Sequence, residues 1–417
     1  MSLSIRILFA VILIPLFNFS QEAEVNPPDY IKTIIFKGSN TQESQLPVLR
    51  LGEYISLEFD ALNGEEDNYY YKIEHYNFDW TPSPLARAEF MVGFDNQRIR
   101  NYENSFNTFQ IYSHYKLSIP NDRTRSLKVS GNYMLKVFND YDELVFSRKF
   151  MVYENGASVG VNIKRSRNVK FIEGKQSVDI VVNATGIRFN NPLQNVKTVI
   201  IQNNNLNTAI TDLKPQYTIG NELIYKYTNE SSFWAGNEYL FFENKDIRAA
   251  NTGIQSIELK DLYHNYLFTN TVRANKPYTY NPDINGNFLI TAIDADNPDI
   301  EADYAWIHFS LLAPKMTDGK SIYVYGNFNN YALEDSNKMT YDDASGAYFT
   351  ELLLKQGFYS YKYVVVDKNN NIDEGAIGGN FYQTENNYKV LVYYRELGAR
   401  YDKLIGIGEA SSVDISN

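Results

Sequence analysis

The chain has 417 residues, with 39 Lys+Arg against 50 Asp+Glu and a formal net charge of −11. Its length suits roughly two to four domains, and its acidic balance argues against a nucleic-acid binder, which carries a basic surplus. It contains no cysteine, which excludes disulfides, thiolate zinc sites, iron–sulfur clusters and cysteine nucleophiles. Hydrophobic residues reach 44%, enough for true cores, and the 15% of aromatics, mostly 34 Tyr and 25 Phe, suit pleated surfaces.

At the N-terminus Arg6 precedes an apolar run from Ile7 to Phe17, with the small residue Ser20 after it. This pattern predicts a secretory signal peptide over residues 1–20, with cleavage leaving a mature chain of about 397 residues. The run is too short for a transmembrane helix, and no cysteine stands at the cleavage region to take a lipid. No later stretch is long and apolar enough to span a membrane as a helix, so the mature chain is expected to be soluble and exported.

The body shows little helical periodicity. Short runs rich in Val, Ile, Tyr and Phe alternate with Gly, Asn, Asp and Pro punctuation, which predicts an all-β protein of tandem immunoglobulin-like or early-set β-sandwich domains. The first unit, residues 21–155, has strands expected at 31–36, 54–59, 69–76, 108–112, 131–138 and 144–152. Ile55, Leu57 and Phe59 alternate with Tyr54, Ser56 and Glu58, the period of a strand with one buried face. Trp80 reads as a structural ring that caps or fills the core. Residues 81–106 read as a long connection carrying Arg87, Phe90, Phe94, Arg98 and Arg100, and a loop of that length is often functional.

The second unit, residues 156–282, has strands expected at 159–164, 177–182, 196–202, 223–227, 238–243 and 266–272, with Asn203, Asn204 and Asn205 as a turn. The third, residues 283–395, has strands expected at 288–293, 305–311, 321–325, 347–354, 358–366 and 388–394. Residues 396–417 read as a flexible tail.

Catalytic signatures are missing. The four histidines, His75, His114, His264 and His308, stand apart in sequence with no zinc-ligand spacing. There is no Gly-x-Ser-x-Gly elbow and no phosphate-binding Gly-rich loop. Asp294, Asp296, Asp299, Glu301 and Asp303 cluster in one stretch that could offer calcium several oxygens, but the spacing does not match an EF-hand and Pro298 interrupts it. A solvated acidic loop is the favoured reading. The chain reads as a non-enzyme that needs no cofactor.

Two resemblances follow from the residues. Gly326, Phe328 and Asn329, with Tyr331 after them and Tyr361, Lys362 and Tyr363 further on, resemble the Gly-x-Phe-Asn-x-Trp and Gly-x-Tyr-x-Tyr-Lys-Phe strands of family-48 carbohydrate-binding modules. In glycan-binding members the Trp stacks on a sugar, and here Tyr331 stands in its place. That resemblance covers a quarter of the chain and implies possible glycan contacts at Phe328, Tyr331 and Lys362. The second spans nearly the whole mature chain. Segments 30–36, 47–52, 55–59, 71–80, 133–138, 281–286 and 301–306, in that order, resemble the plug-protein family of the type 9 secretion system of Bacteroidota. It implies a periplasmic, non-enzymatic protein that occludes the periplasmic opening of a giant outer-membrane β-barrel translocon, with no nucleic acid bound and no membrane insertion of its own. Arg87, Phe90, Phe94, Arg98 and Arg100 are the expected partner contacts, since Arg and aromatics are enriched in interface cores. The alternative is a periplasmic glycan-binding protein using the third unit.

Overall fold

The computed structural model describes residues 21–39, 45–184 and 186–415; the expected signal peptide lies outside the described residues. Among these the strands build three two-sheet sandwiches, and the few helices are single turns. The all-β expectation holds. No helix among the described residues is long and apolar enough to cross a membrane.

In the first sandwich, Ile31–Gly38, Ile55–Ala61, Ser113–Ile119 and Asn101–Asn104 form one sheet. The other contains Val48–Arg50, Leu144–Tyr153, Gly131–Phe138, Tyr70–Tyr76 and Gln97–Arg98. Inward rings fill the space between them. Phe59 stacks on Tyr115 with centroids 5.1 Å apart, and Phe36 meets Phe150 edge-on at 5.7 Å, the two arrangements that the ring quadrupole favours.

Two expectations fail here. Residues 81–106 are not an open connection: they contain the turn Arg87–Phe90 and the strands Met91–Gly93, Gln97–Arg98 and Asn101–Asn104, the first of which pairs with Thr124–Leu127. Residues 108–112 are not a strand. Their amides turn toward side chains outside the ladder, and the strand falls one step later at Ser113–Ile119.

The second sandwich is discontinuous. One sheet holds Ala157–Arg165, Lys175–Ala184, Glu222–Tyr225, Tyr217–Ile219 and Ser232–Trp234. The other holds Asn205–Thr211, Val196–Gln202, Asn387–Tyr394 and Lys403–Ser411. The chain thus leaves this sandwich after Trp234, builds the third, and returns at Asn387. The boundaries at 156–282 and 283–395 are corrected accordingly. The flexible tail is corrected too, since Lys403–Ser411 pairs with Asn387–Tyr394 and buries Leu404 and Ile405.

The third sandwich packs Leu240–Glu243, Gly357–Val366, Phe288–Ile290, Ser321–Tyr325 and Ile372–Asp373 against a sheet of Ile254–Leu259, Tyr263–Leu267, Asn270–Thr271, Tyr304–Leu312, Ala347–Lys355 and Thr340–Asp342.

The strands Val196–Gln202 and Asn387–Tyr394 contain the unbroken apolar runs 199–201 and 390–394 because both their faces are buried. Ile200, Val390 and Val392 enter the second core, while Val199, Ile201, Leu391 and Tyr393 meet Tyr76, Trp80, Met134 and Met151 of the first sandwich. Trp80 therefore fills a seam between sandwiches. The Tyr393 hydroxyl closes the seam with a 2.6 Å bond to Asn132 Oδ1. The third sandwich is tied to the second by Asn205 Nδ2 donating to the Tyr325 hydroxyl at 3.0 Å. It is tied to the first through Asp60 and Asp303, so each sandwich braces the other two.

Candidate partner-binding surface

Asp60 and Asp303 are buried carboxylates that hold the first sandwich against the third. Asp60 is fully buried, and its Oδ2 accepts from Lys355 Nζ at 2.7 Å and the Tyr304 hydroxyl at 2.6 Å. Its Oδ1 lies 2.7 Å from His114 Nδ1. Burial alone would raise the Asp60 pKa, but Lys355 and His114 outweigh it and hold the carboxyl below its ordinary value. Lys355 also donates to Asp299 O at 2.7 Å and lies over the Tyr112 ring.

Asp303 shapes the surface. Its Oδ2 accepts from Phe109 N at 2.6 Å, and its Oδ1 from Gln110 N at 3.1 Å and Tyr304 N at 2.8 Å. Phe106 N donates to Ile300 O at 2.9 Å, and the Phe109 ring meets Tyr263 edge-on at 5.5 Å. The backbone is thereby fixed while its apolar side chains stay in water. Phe106 is 68% exposed, Phe109 56% and Ile111 62%, and Ile293 of the third sandwich is 61% exposed. Phe106, Phe109 and Ile293 line one cleft at the junction of the two sandwiches, edged by the ion-paired Arg248 and Asp294. Large apolar side chains held rigidly in solvent are what a partner surface requires.

Of the expected contacts, Phe94, Arg87, Arg98 and Arg100 are exposed, the Arg87 guanidinium donating to Gly93 O. Phe90 is not: it is buried in the first core beside the His75 ring, so its role is packing. The cluster of Phe106, Phe109 and Ile293 is not legible in the sequence because 108–112 reads as a strand and because the cluster forms only when two distant segments meet.

The glycan expectation fails at its central residue. Tyr331 is 2% exposed and donates its hydroxyl to Asn203 O at 3.0 Å in the second sandwich, so it offers no ring face to a sugar. Lys362 pairs with Glu374 and lies 4.5 Å from the Tyr239 centroid. Phe328 is half-buried and packs edge-on against Tyr359. The acidic stretch is likewise engaged: Asp303 accepts the three amides above, and Glu301 accepts from Asp296 N and Asn297 N. Asp294 and Asp296 are exposed, as a solvated acidic loop requires, whereas the buried Asp303 departs from that reading.

The histidines are not all apart. The register Tyr266↔His308 sets His264 Nδ1 2.8 Å from His308 Nε2, and His308 Nδ1 lies 3.2 Å from Glu351. Two imidazoles and a carboxylate with donors within 4.8 Å are a set that a divalent transition metal accepts. Burial pulls the His308 pKa below its ordinary value, which favours the neutral, ligating ring. Strand pairing creates this cluster, and linear spacing carries no sign of it.

Residues 31–154 match the family model described as the type 9 secretion system plug protein 1st domain. The crystal structure of a hypothetical protein from Parabacteroides merdae ATCC 43184 is similar throughout, with 34% identity and a TM-score of 0.89 over 93% of this chain and 98% of that one. A Niemann-Pick type C2 protein from Japanese carpenter ant aligns at 13% identity and a TM-score of 0.15 over 31% of this chain and 99% of that one, too low to bear on the fold. No curated protein matches the chain. The chain thus shares one whole fold with the Parabacteroides merdae protein, and its first sandwich is similar to the first domain of type 9 secretion system plug proteins.

Proposed function

We propose that the chain is a non-enzymatic periplasmic plug that occludes the periplasmic opening of the outer-membrane β-barrel translocon of the type 9 secretion system. The observation that carries this reading is the plug-family domain at residues 31–154, bolted by buried polar ties to two further sandwiches. A wide water-filled barrel leaks solutes unless its mouth is obstructed. A compact body of this length has a radius of gyration of about 22 Å, a size that suits capping a broad pore. Mechanism is occlusion set by competing binding equilibria, with no bond made or broken. The face presented to the barrel is the Phe106, Phe109 and Ile293 cluster, with Phe94, Arg98 and Arg100 as further contacts of the first sandwich.

Cells that make the barrel but lack this chain are expected to admit a hydrophilic antibiotic too large for porins. Removing the barrel as well should restore exclusion. Unchanged permeability in the single deletion would contradict occlusion.

A further inference from the structure

Arg148 stands on the strand Leu144–Tyr153 and is 2% exposed. Its Nη1 donates to Ser147 O at 2.9 Å, and its guanidinium lies 5.6 Å from the Phe146 ring centroid. No carboxylate among the described residues forms an ion pair with it, and its buried Nε has no hydrogen-bond partner. Burial pulls the Arg148 pKa down, and the charges of Glu24 and Glu334 work against that pull. Arginine stays charged in proteins, so a buried guanidinium with an unused donor asks for an acceptor.

Arg148 lines a cleft of about 500 Å³ between the first and third sandwiches. Ile31, Phe288, Trp306 and Leu352 supply apolar wall, Asp29, Glu334 and Glu351 put negative charge on the lining, and Lys32 sits 4.0 Å from Asp29. Thr33, in the same wall, is a β-branched residue at φ +50°, held there by a 2.6 Å bond to the Tyr304 hydroxyl. This conformation coincides with the irregularity that shifts the strand register between Lys32 and Ile35.

We propose that this cleft binds a small monocarboxylate with an apolar body, the carboxylate taken by the Arg148 guanidinium and the body by the apolar wall. The N–H groups along one edge of a guanidinium match the two oxygens of a carboxylate. A dianion such as phosphate would be repelled more strongly by the three lining carboxylates, only one of which pairs with Lys32, and an uncharged apolar ligand would leave the guanidinium without a counter-charge. A fatty acid and the C-terminal carboxylate of a short apolar peptide share the required chemistry.

The test uses the full mature chain and isothermal titration with four probes: decanoate, decanol, trileucine with a free C-terminus, and trileucine amide. One acid is expected to bind saturably and at least about tenfold tighter than its uncharged counterpart. Which acid does so identifies the source. Arg148→Met should abolish the preference, and Ser336→Trp, at an exposed position on the cleft, should block binding. Comparing acid with alcohol or amide needs no variant, so a failure of Arg148→Met to fold leaves the test standing. Absence of saturable binding by both acids, or equal binding of acid and uncharged partner, overturns the proposal.

Discussion

Lys355 and Asp60 form an ion pair of 2.7 Å whose side chains are 1% and 0% exposed, although 295 residues separate them. One comes from the third sandwich and the other from the first. Burying two charges is costly unless every remaining valence is met, and here Tyr304, His114 and the Asp299 carbonyl meet them. The pair therefore fixes how the two sandwiches sit, and through Asp303 nearby it fixes the Phe106–Ile111 loop.

Lys355→Met strands the Asp60 carboxylate in the interface. The expected cost is about 3–5 kcal/mol, read as a lower urea midpoint and as new proteolytic cleavage between the sandwiches. Asp60→Leu combined with Lys355→Met should recover much of that loss. A single variant as stable as the wild type would contradict a bracing role.

Two carboxyls give the stability profile opposite slopes. The Asp60 pKa is lowered in the folded state, so its contribution is present above the unfolded value of about 3.9 and lost as pH falls through the folded one. Asp283 is raised by burial to about 7. Its contribution is complete below the unfolded value and lost as pH rises through about 7. Urea midpoints should therefore fall from pH 5 to pH 8 by more in the wild type than in Asp283→Asn. Equal changes in the two proteins would contradict the Asp283 assignment.

A stop codon after Glu396 removes the strand Lys403–Ser411 and opens the second core at Ile405 and the seam at Leu404. The truncated chain is expected to be insoluble or rapidly proteolysed, since these side chains would leave two apolar surfaces in water. A soluble truncation with an unchanged melting temperature would show the strand to be dispensable.

Tyr331→Ala is expected to cost about 3–5 kcal/mol through the lost ring, with its bond to Asn203 gone as well. The wild type should pass an amylose column unretained. Retention that vanishes in the variant would restore the sugar-binding reading.

Strand positions were legible where side chains alternate or where a run is apolar on both faces, as at Ile55–Ala61 and Val196–Gln202. Partners were not. Asn387–Tyr394 looks like the last strand of the third unit, yet it pairs with Val196–Gln202, because sheet pairing depends on faces that linear order does not record. The same limit hid the His264–His308 contact and the seat of Tyr331 against Asn203. Phe106, Phe109 and Ile111 escaped notice because exposed apolar residues in a turn have the composition of a buried strand.

The most direct test is affinity capture of a detergent-solubilised outer membrane with the tagged mature chain, beside a Phe106→Asp/Phe109→Asp variant. Exposed substitutions should leave the melting temperature nearly unchanged. The wild type is expected to recover one very large β-barrel protein in near-equal amount, and the variant to recover much less. Failure of the wild type to retain a barrel, from cells known to make one, would contradict the plug reading. Equal recovery by both proteins would move the contact away from this loop.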